Sequence, residues 1–300
     1  MKRLFTLVVV SLLFSVAAPV AAQEASPEFS KSLLSGLGYA ELHIKAGDDN
    51  VEIPEQVNAG RTLIVYENVG RESTHPFMLR LPDDLTVDQA LADLGPEAME
   101  PPAWFLNANF PGFVGETLPG HTSFAVVDLV AGPHLVLHDS AIHLDVVAAD
   151  ATPVPVQAPP ADGTVRMFEM GYEFPEAIDS GRQVWEVTNV GEVPHELLLV
   201  RSAVPATAEQ IIALFGSESE DEHATPVGGG PSFADIEPVG GVGWLSPDAT
   251  AWTEVDLEPG TYTAICFVFD PETGMPHLML GMAEVFTVGD GGTPGATPAA

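Results

Sequence analysis

Cysteine is all but missing from this chain: Cys266 stands alone in 300 residues. A lone cysteine excludes an internal disulfide, so stability must come from apolar cores or from a bound metal. Positive charge is also scarce, with 10 Lys and Arg against 43 Asp and Glu and a formal net charge of -33. That balance excludes nucleic acid and anionic membrane surfaces as partners, because both repel a polyanion. It fits a soluble protein with a solvated acidic surface. Beyond the first 22 residues no apolar run is long enough to span a bilayer, so stable membrane insertion is not expected. The pattern His-X-His, which builds paired-imidazole metal centres, occurs nowhere among the 9 histidines.

What is present begins with a leader. The stretch "MKRLFTLVVVSLLFSVAAPVAAQ" places Lys2 and Arg3 before an apolar run and ends in small residues. This is the three-part layout of a cleavable secretory signal, with processing expected after Ala22 and a periplasmic or extracellular destination. The rival reading, a retained membrane anchor, fits less well, since Pro19 and its small neighbours suit a cleavage region better than a spanning helix. No cysteine lies near Ala22, which excludes a lipoprotein anchor.

The mature chain then repeats itself. Residues 63–95 read "LIVYENVGRESTHPFMLRLPDDLTVDQALADLG" and residues 184–216 read "VWEVTNVGEVPHELLLVRSAVPATAEQIIALFG". Each is an apolar strand, the tripeptide NVG, a nearby histidine, a second strand and a helix-like run. The match resumes where "TSFAVVDLVAGPHLVLH" (122–138) lines up with "TAWTEVDLEPGTYTAIC" (250–266), so that Gly132 matches Gly260 and His138 falls where Cys266 stands. His75 falls near the place of His195. Two tandem copies are expected, residues 24–150 and 163–288. A Pro/Ala-rich linker (151–162) joins them, and the apolar-poor tail 289–300 is expected to be disordered.

Short runs rich in Val, Leu, Thr and aromatics alternate with Gly, Pro and Asn turns, which predicts an all-β fold of two tandem Greek-key β-sandwiches. "TVDQALADL" and "TAEQIIALF" each begin with a Thr suited to an N-cap, so each copy carries one short inserted helix. The Gly- and acid-rich stretch 216–244 reads as a long surface loop.

The second copy carries the chemistry. "TNVGEVPHELLLV" puts His195 just past a strand and a turn; "GTYTAICFV" puts Cys266 at the end of a much later strand; and "MPHLMLGM" supplies His277 and Met282 from the loop that follows. Two imidazoles, a thiolate and a weak axial thioether in this order are the ligand set of a type 1 copper site. Each residue also has a plainer reading: a free cysteine is among the most buried residues, a histidine can bond a turn carbonyl, and methionine fills cores. Their joint occurrence in one order is what favours the metal. Met275 and Met279 compete as the thioether; Met282 is preferred for its spacing from His277 and its Gly-Met context.

Through "NVGEVPHEL", "PGTYTAIC" and "HLMLGMAEVFTV" the chain resembles the cupredoxins, the blue copper proteins, over about residues 163–288 and more weakly in the first copy. The resemblance implies one type 1 copper held by His195, Cys266, His277 and Met282, and single-electron transfer to an unnamed redox partner protein, with His277 as the exit. Ten residues separate Cys266 from His277, a longer loop than the family usually has, and "FDPETGM" is expected to bulge outward and return. The first copy is a degenerate one kept for packing or partner binding, although His121, His134, His138 and His143 form a local cluster able to offer imidazoles to a metal. Two-domain cupredoxins include nitrite reductases and small laccases, but the lack of His-X-His argues against an oxidase. The same scaffold could also serve as a metal-free binding module or as a copper storage or delivery protein.

Overall fold

A computed structural model describes residues 31–95, 101–138, 140–148, 157–216 and 229–289. The leader 1–22 lies outside them, as do residues 151–156 of the linker and 290–300 of the tail. The strands are β1 (Ala40–Ala46), β2 (Val51–Glu52), β3 (Gln56–Asn58), β4 (Gly60–Asn68), β5 (Phe77–Arg80), β6 (Thr122–Leu129), β7 (Gly132–Leu137) and β8 (Ala141–Val147) in the first copy. The second copy has β9 (Gly163–Phe168), β10 (Gly171–Glu173), β11 (Gly181–Asn189), β12 (His195–Ser202), β13 (Ile236–Leu245), β14 (Thr250–Leu257), β15 (Gly260–Ile265) and β16 (Ala283–Val288). The two expected helices form as α1 (Val87–Asp93) and α2 (Ala208–Phe215). Thr86 and Thr207 cap them by accepting the Gln89 and Gln210 amides, and Gln210 closes a reciprocal capping box.

The fold is all-β: two sandwiches that share the crossings β4 to β5 and β6 to β7 in the first copy with β11 to β12 and β14 to β15 in the second. One sheet serves both copies, in the order β10-β9-β11-β14-β6-β4-β1-β2; the outer sheets are β13-β12-β15-β16 and β3-β8-β7-β5. The copies join where β14 pairs antiparallel with β6, Thr253 opposite Ala125. Counting from the matched Thr122 and Thr250, these two residues are each other's equivalents in the repeat. Val114 and Val242, the equivalents upstream of Thr122 and Thr250, bridge each other as well. Pairing of equivalent positions is the mark of a two-fold interface, here between two halves of one chain.

The junction is closely packed. Trp244 of the second copy stacks on Phe77 of the first, with centroids 5.2 Å apart, and touches Phe105 and Phe110. One apolar cluster runs from Leu42 and Tyr66 to Cys266 and Met282, so the two sandwiches share a continuous core rather than burying two separate ones.

The structure corrects one expectation. The stretch 216–244 is not all loop, since Ile236–Leu245 is strand β13, paired antiparallel with β12. Its run "IEPVGGVGWL" reads as a breaker because Pro238 and the glycines lack β propensity. The glycines answer a packing demand instead: at Gly241 (φ +127°) a Cβ would lie 1.8 Å from the Leu197 carbonyl oxygen. The strand register also fixes the place of His75, which the repeat puts near that of His195. Phe77 pairs with Leu137, and Leu198 pairs with Ile265, so strand register makes Phe77 the equivalent of Leu198. Thr74 therefore stands in the place of His195, and His75 in that of Glu196.

Candidate metal centre

His195 opens β12 after a loop that a buried asparagine organises. The Asn189 side-chain amide donates to the carbonyls of Val193 and Leu245, and its oxygen accepts the Gly191 amide, each at 2.8–2.9 Å. Asn68 does the same in the first copy, donating to Glu72 and Thr117 and accepting from Gly70. This explains the repeated NVG: Asn fastens the loop, and the glycine amide closes back on it. Strand β12 is then buried on both faces, with Leu197 and Leu199 in the shared core and Leu198 and Val200 beneath α2.

Cys266 follows β15 directly. The segment after it bulges as expected: the Gly274 amide donates to the Asp270 carbonyl, and Phe269 bridges Pro276. The chain then returns beneath itself, with the His277 amide on the Val268 carbonyl and the Leu278 amide on the Cys266 carbonyl. A short 3-10 turn, His277–Leu280, ends at Gly281 in the left-handed region (φ 109°). That reversal needs glycine, and it sends Met282 inward; this is the physical content of the Gly-Met pair. Met282 is fully buried in the cluster that holds Cys266, whereas Met275 is 40% exposed and the Met279 side chain lies against Gly216.

His195, Cys266 and His277 converge. The two Nδ1 atoms are 3.1 Å apart and Cys266 Sγ is 3.5 Å from His277 Nδ1. Their ligand atoms all lie within 4.8 Å of one another, and among the described residues this is the one such group of three or more. The first-copy cluster of His121, His134, His138 and His143 forms no such group among the described residues. His121 turns to the Pro119 carbonyl, His134 to the Gly132 carbonyl and His143 to Asp145.

The electrostatics suit a metal. Burial, aided by His277, lowers the His195 pKa to about 4 against the opposing pull of Glu169. Burial also lowers that of His277, opposed by Asp270. Both imidazoles are therefore neutral at pH 7, as ligands must be. Burial and the Glu196 carboxylate push the Cys266 thiol well up, so binding a metal ion would displace its proton. A small ion held by imidazole and thiolate at about 2.0–2.3 Å spaces its donors roughly 3.3–3.7 Å apart, close to the two separations at His277 Nδ1. The Nε2 atoms of both rings are buried without a hydrogen-bond partner, and that of His195 faces Glu169 at 3.8 Å. His277, expected as the exit for electrons, is wholly buried.

Three neighbours escaped sequence reasoning: Glu169, Tyr172 and Glu196. Glu196 carried a signal, being one acid in the apolar run "HELLLV". It is fully buried, accepts the Phe267 amide at 2.5 Å through Oε1, and takes the Tyr172 hydroxyl on its main-chain carbonyl at 2.9 Å.

No family model matches the chain, and no curated protein matches it. Among solved structures it is similar to auracyanin from Roseiflexus castenholzii, at 19% identity over 42% of this chain and 94% of that one, TM-score 0.26. It is also similar to a multi-copper oxidase from Pediococcus acidilactici, at 11% identity over 84% of this chain and 60% of that one, TM-score 0.22. At scores this low neither likeness carries an argument about chemistry, which rests on the strand order and donor geometry above.

Proposed function

We propose that the mature protein is a type 1 copper protein of the periplasm or cell exterior, carrying single electrons between partner proteins. The observation that carries this reading is the buried triad of two imidazole Nδ1 atoms and one thiol within 4.8 Å. Copper, when bound, supplies a one-electron couple. His195, Cys266 and His277 would hold it, and Met282 would offer a thioether. That soft and borderline donor set suits both oxidation states.

The chain's own residues do the rest. Asn189 and the Cys266–Leu278 backbone bond fix the ligand-bearing loops, and the shared core behind them resists rearrangement when the charge of the site changes. Water is excluded, since all three donor residues and Met282 are buried. With both rings covered, electron exchange runs through the covering residues rather than an exposed ring edge. Among the described residues no helix is long and apolar enough to cross a membrane.

The test is one equivalent of Cu(II) added to the purified mature protein. An intense visible thiolate-to-copper band is expected. It should be absent from Cys266→Ser, bleached by one equivalent of reductant and restored by one of oxidant. A protein that retains copper only as colourless Cu(I) would favour storage or delivery. One that retains no copper would be a metal-free scaffold, and the reading would fail.

A further inference from the structure

The charged groups nearest the candidate copper site do not all come from its own domain. Glu196 Oε2 lies 3.0 Å from Nε2 of His75, which the first copy supplies. Strand register makes His75 and Glu196 equivalents in the repeat, so two matched positions meet across the approximate two-fold and form an unlike pair. Glu196 is 0% exposed and the His75 side chain 25%. A buried carboxylate this deep needs a partner or a proton. Nearby Glu116 is also buried, held by the Ser73 hydroxyl at 2.7 Å. Burial works against a charge on His75, but Glu196 and Glu116 more than offset it, and its pKa is raised.

The other carboxylate oxygen of Glu196 holds the amide next to Cys266. One side chain thus joins the His195 strand, the Cys266 loop and the first domain. We propose that the first domain is a working part of the metal centre: His75 pairs with and positions Glu196, and through it sets the reduction potential of the site. The proposal rests on the copper reading. Adding one electron to the metal–thiolate group makes it more negative, which an unpaired nearby carboxylate opposes strongly and one screened by His75 opposes less.

The experiment is a redox titration of the copper-loaded full chain, followed at the visible band, for wild type, His75→Gln, Glu196→Gln and the double variant. His75→Gln is expected to lower the potential and Glu196→Gln to raise it. Each shift should change the Cu(I)-to-Cu(II) affinity ratio at least tenfold, equivalent to about 59 mV for a one-electron couple. Because His75 acts through Glu196, the double variant should match Glu196→Gln. Loss of packing alone would not give shifts of opposite sign, and Glu196→Gln keeps an oxygen for the Phe267 amide should His75→Gln fold poorly. A normal band in the wild type with unchanged potentials in both single variants would overturn this proposal alone. The absence of a band in the wild type would overturn the copper reading and this proposal with it.

Discussion

Gly115→Ala would test the junction of the two sandwiches at its tightest point. A Cβ on Gly115 would lie 2.6 Å from the Gly241 nitrogen, 2.7 Å from the Gly240 carbonyl carbon and 2.8 Å from the Gly241 carbonyl carbon. All three are backbone atoms of the opposite copy, so no side chain can swing away. Relief requires the copies to separate by several tenths of an ångström. That would strain two hydrogen bonds that cross the junction, Gly115 amide to Gly241 carbonyl and Gly243 amide to Phe113 carbonyl, both 3.1 Å. Overpacking costs about 1–3 kcal/mol and two weakened hydrogen bonds about 1 kcal/mol each, so a loss of about 3–5 kcal/mol is expected. Urea unfolding followed by tryptophan fluorescence reads it, since Trp244 sits in the junction. The midpoint should fall, and the single transition of a shared core should broaden or split. A variant with an unchanged midpoint and slope would refute the close approach of the two backbones.

Asn189→Ala removes two buried donor bonds and the acceptor of the Gly191 amide; it should cost about 2–4 kcal/mol and weaken copper retention, read by unfolding and by dialysis against a chelator. Equal retention would mean that the loop does not depend on it. Burial lowers the His134 pKa to about 4 from an ordinary 6.5. The unfolded chain therefore takes up a proton below about pH 6.5 that the folded chain refuses until about 4, and stability is lost as pH falls through that window. Between pH 7 and 5 the wild type should lose about 2 kcal/mol more than His134→Gln, and equal losses would contradict this. Met282→Leu should keep the visible band but shift the potential, whereas Met275→Leu should leave both unchanged; the reverse pattern would reassign the thioether.

The convergence of His195, Cys266 and His277 was readable because they are rare types in a fixed order, and the repeat because NVG and the strand patterns recur. Both helices showed their capping threonines. Strand β13 was hidden because its glycines serve a close backbone approach that composition cannot reveal. The repeat placed His75 only near His195; the register puts it one residue on, and in a strand one residue exchanges the two faces. Glu196 went unnoticed because its role depends on a partner from the other copy. The length of the 267–276 loop could be read but not its path.

The most direct test of the copper centre is X-ray absorption at the copper edge on the protein loaded with one equivalent. One short sulfur scatterer together with two imidazole nitrogens is the predicted shell, with the sulfur lost in Cys266→Ser. A shell of nitrogen and oxygen alone, identical in the two proteins, would contradict a site built on His195, Cys266 and His277.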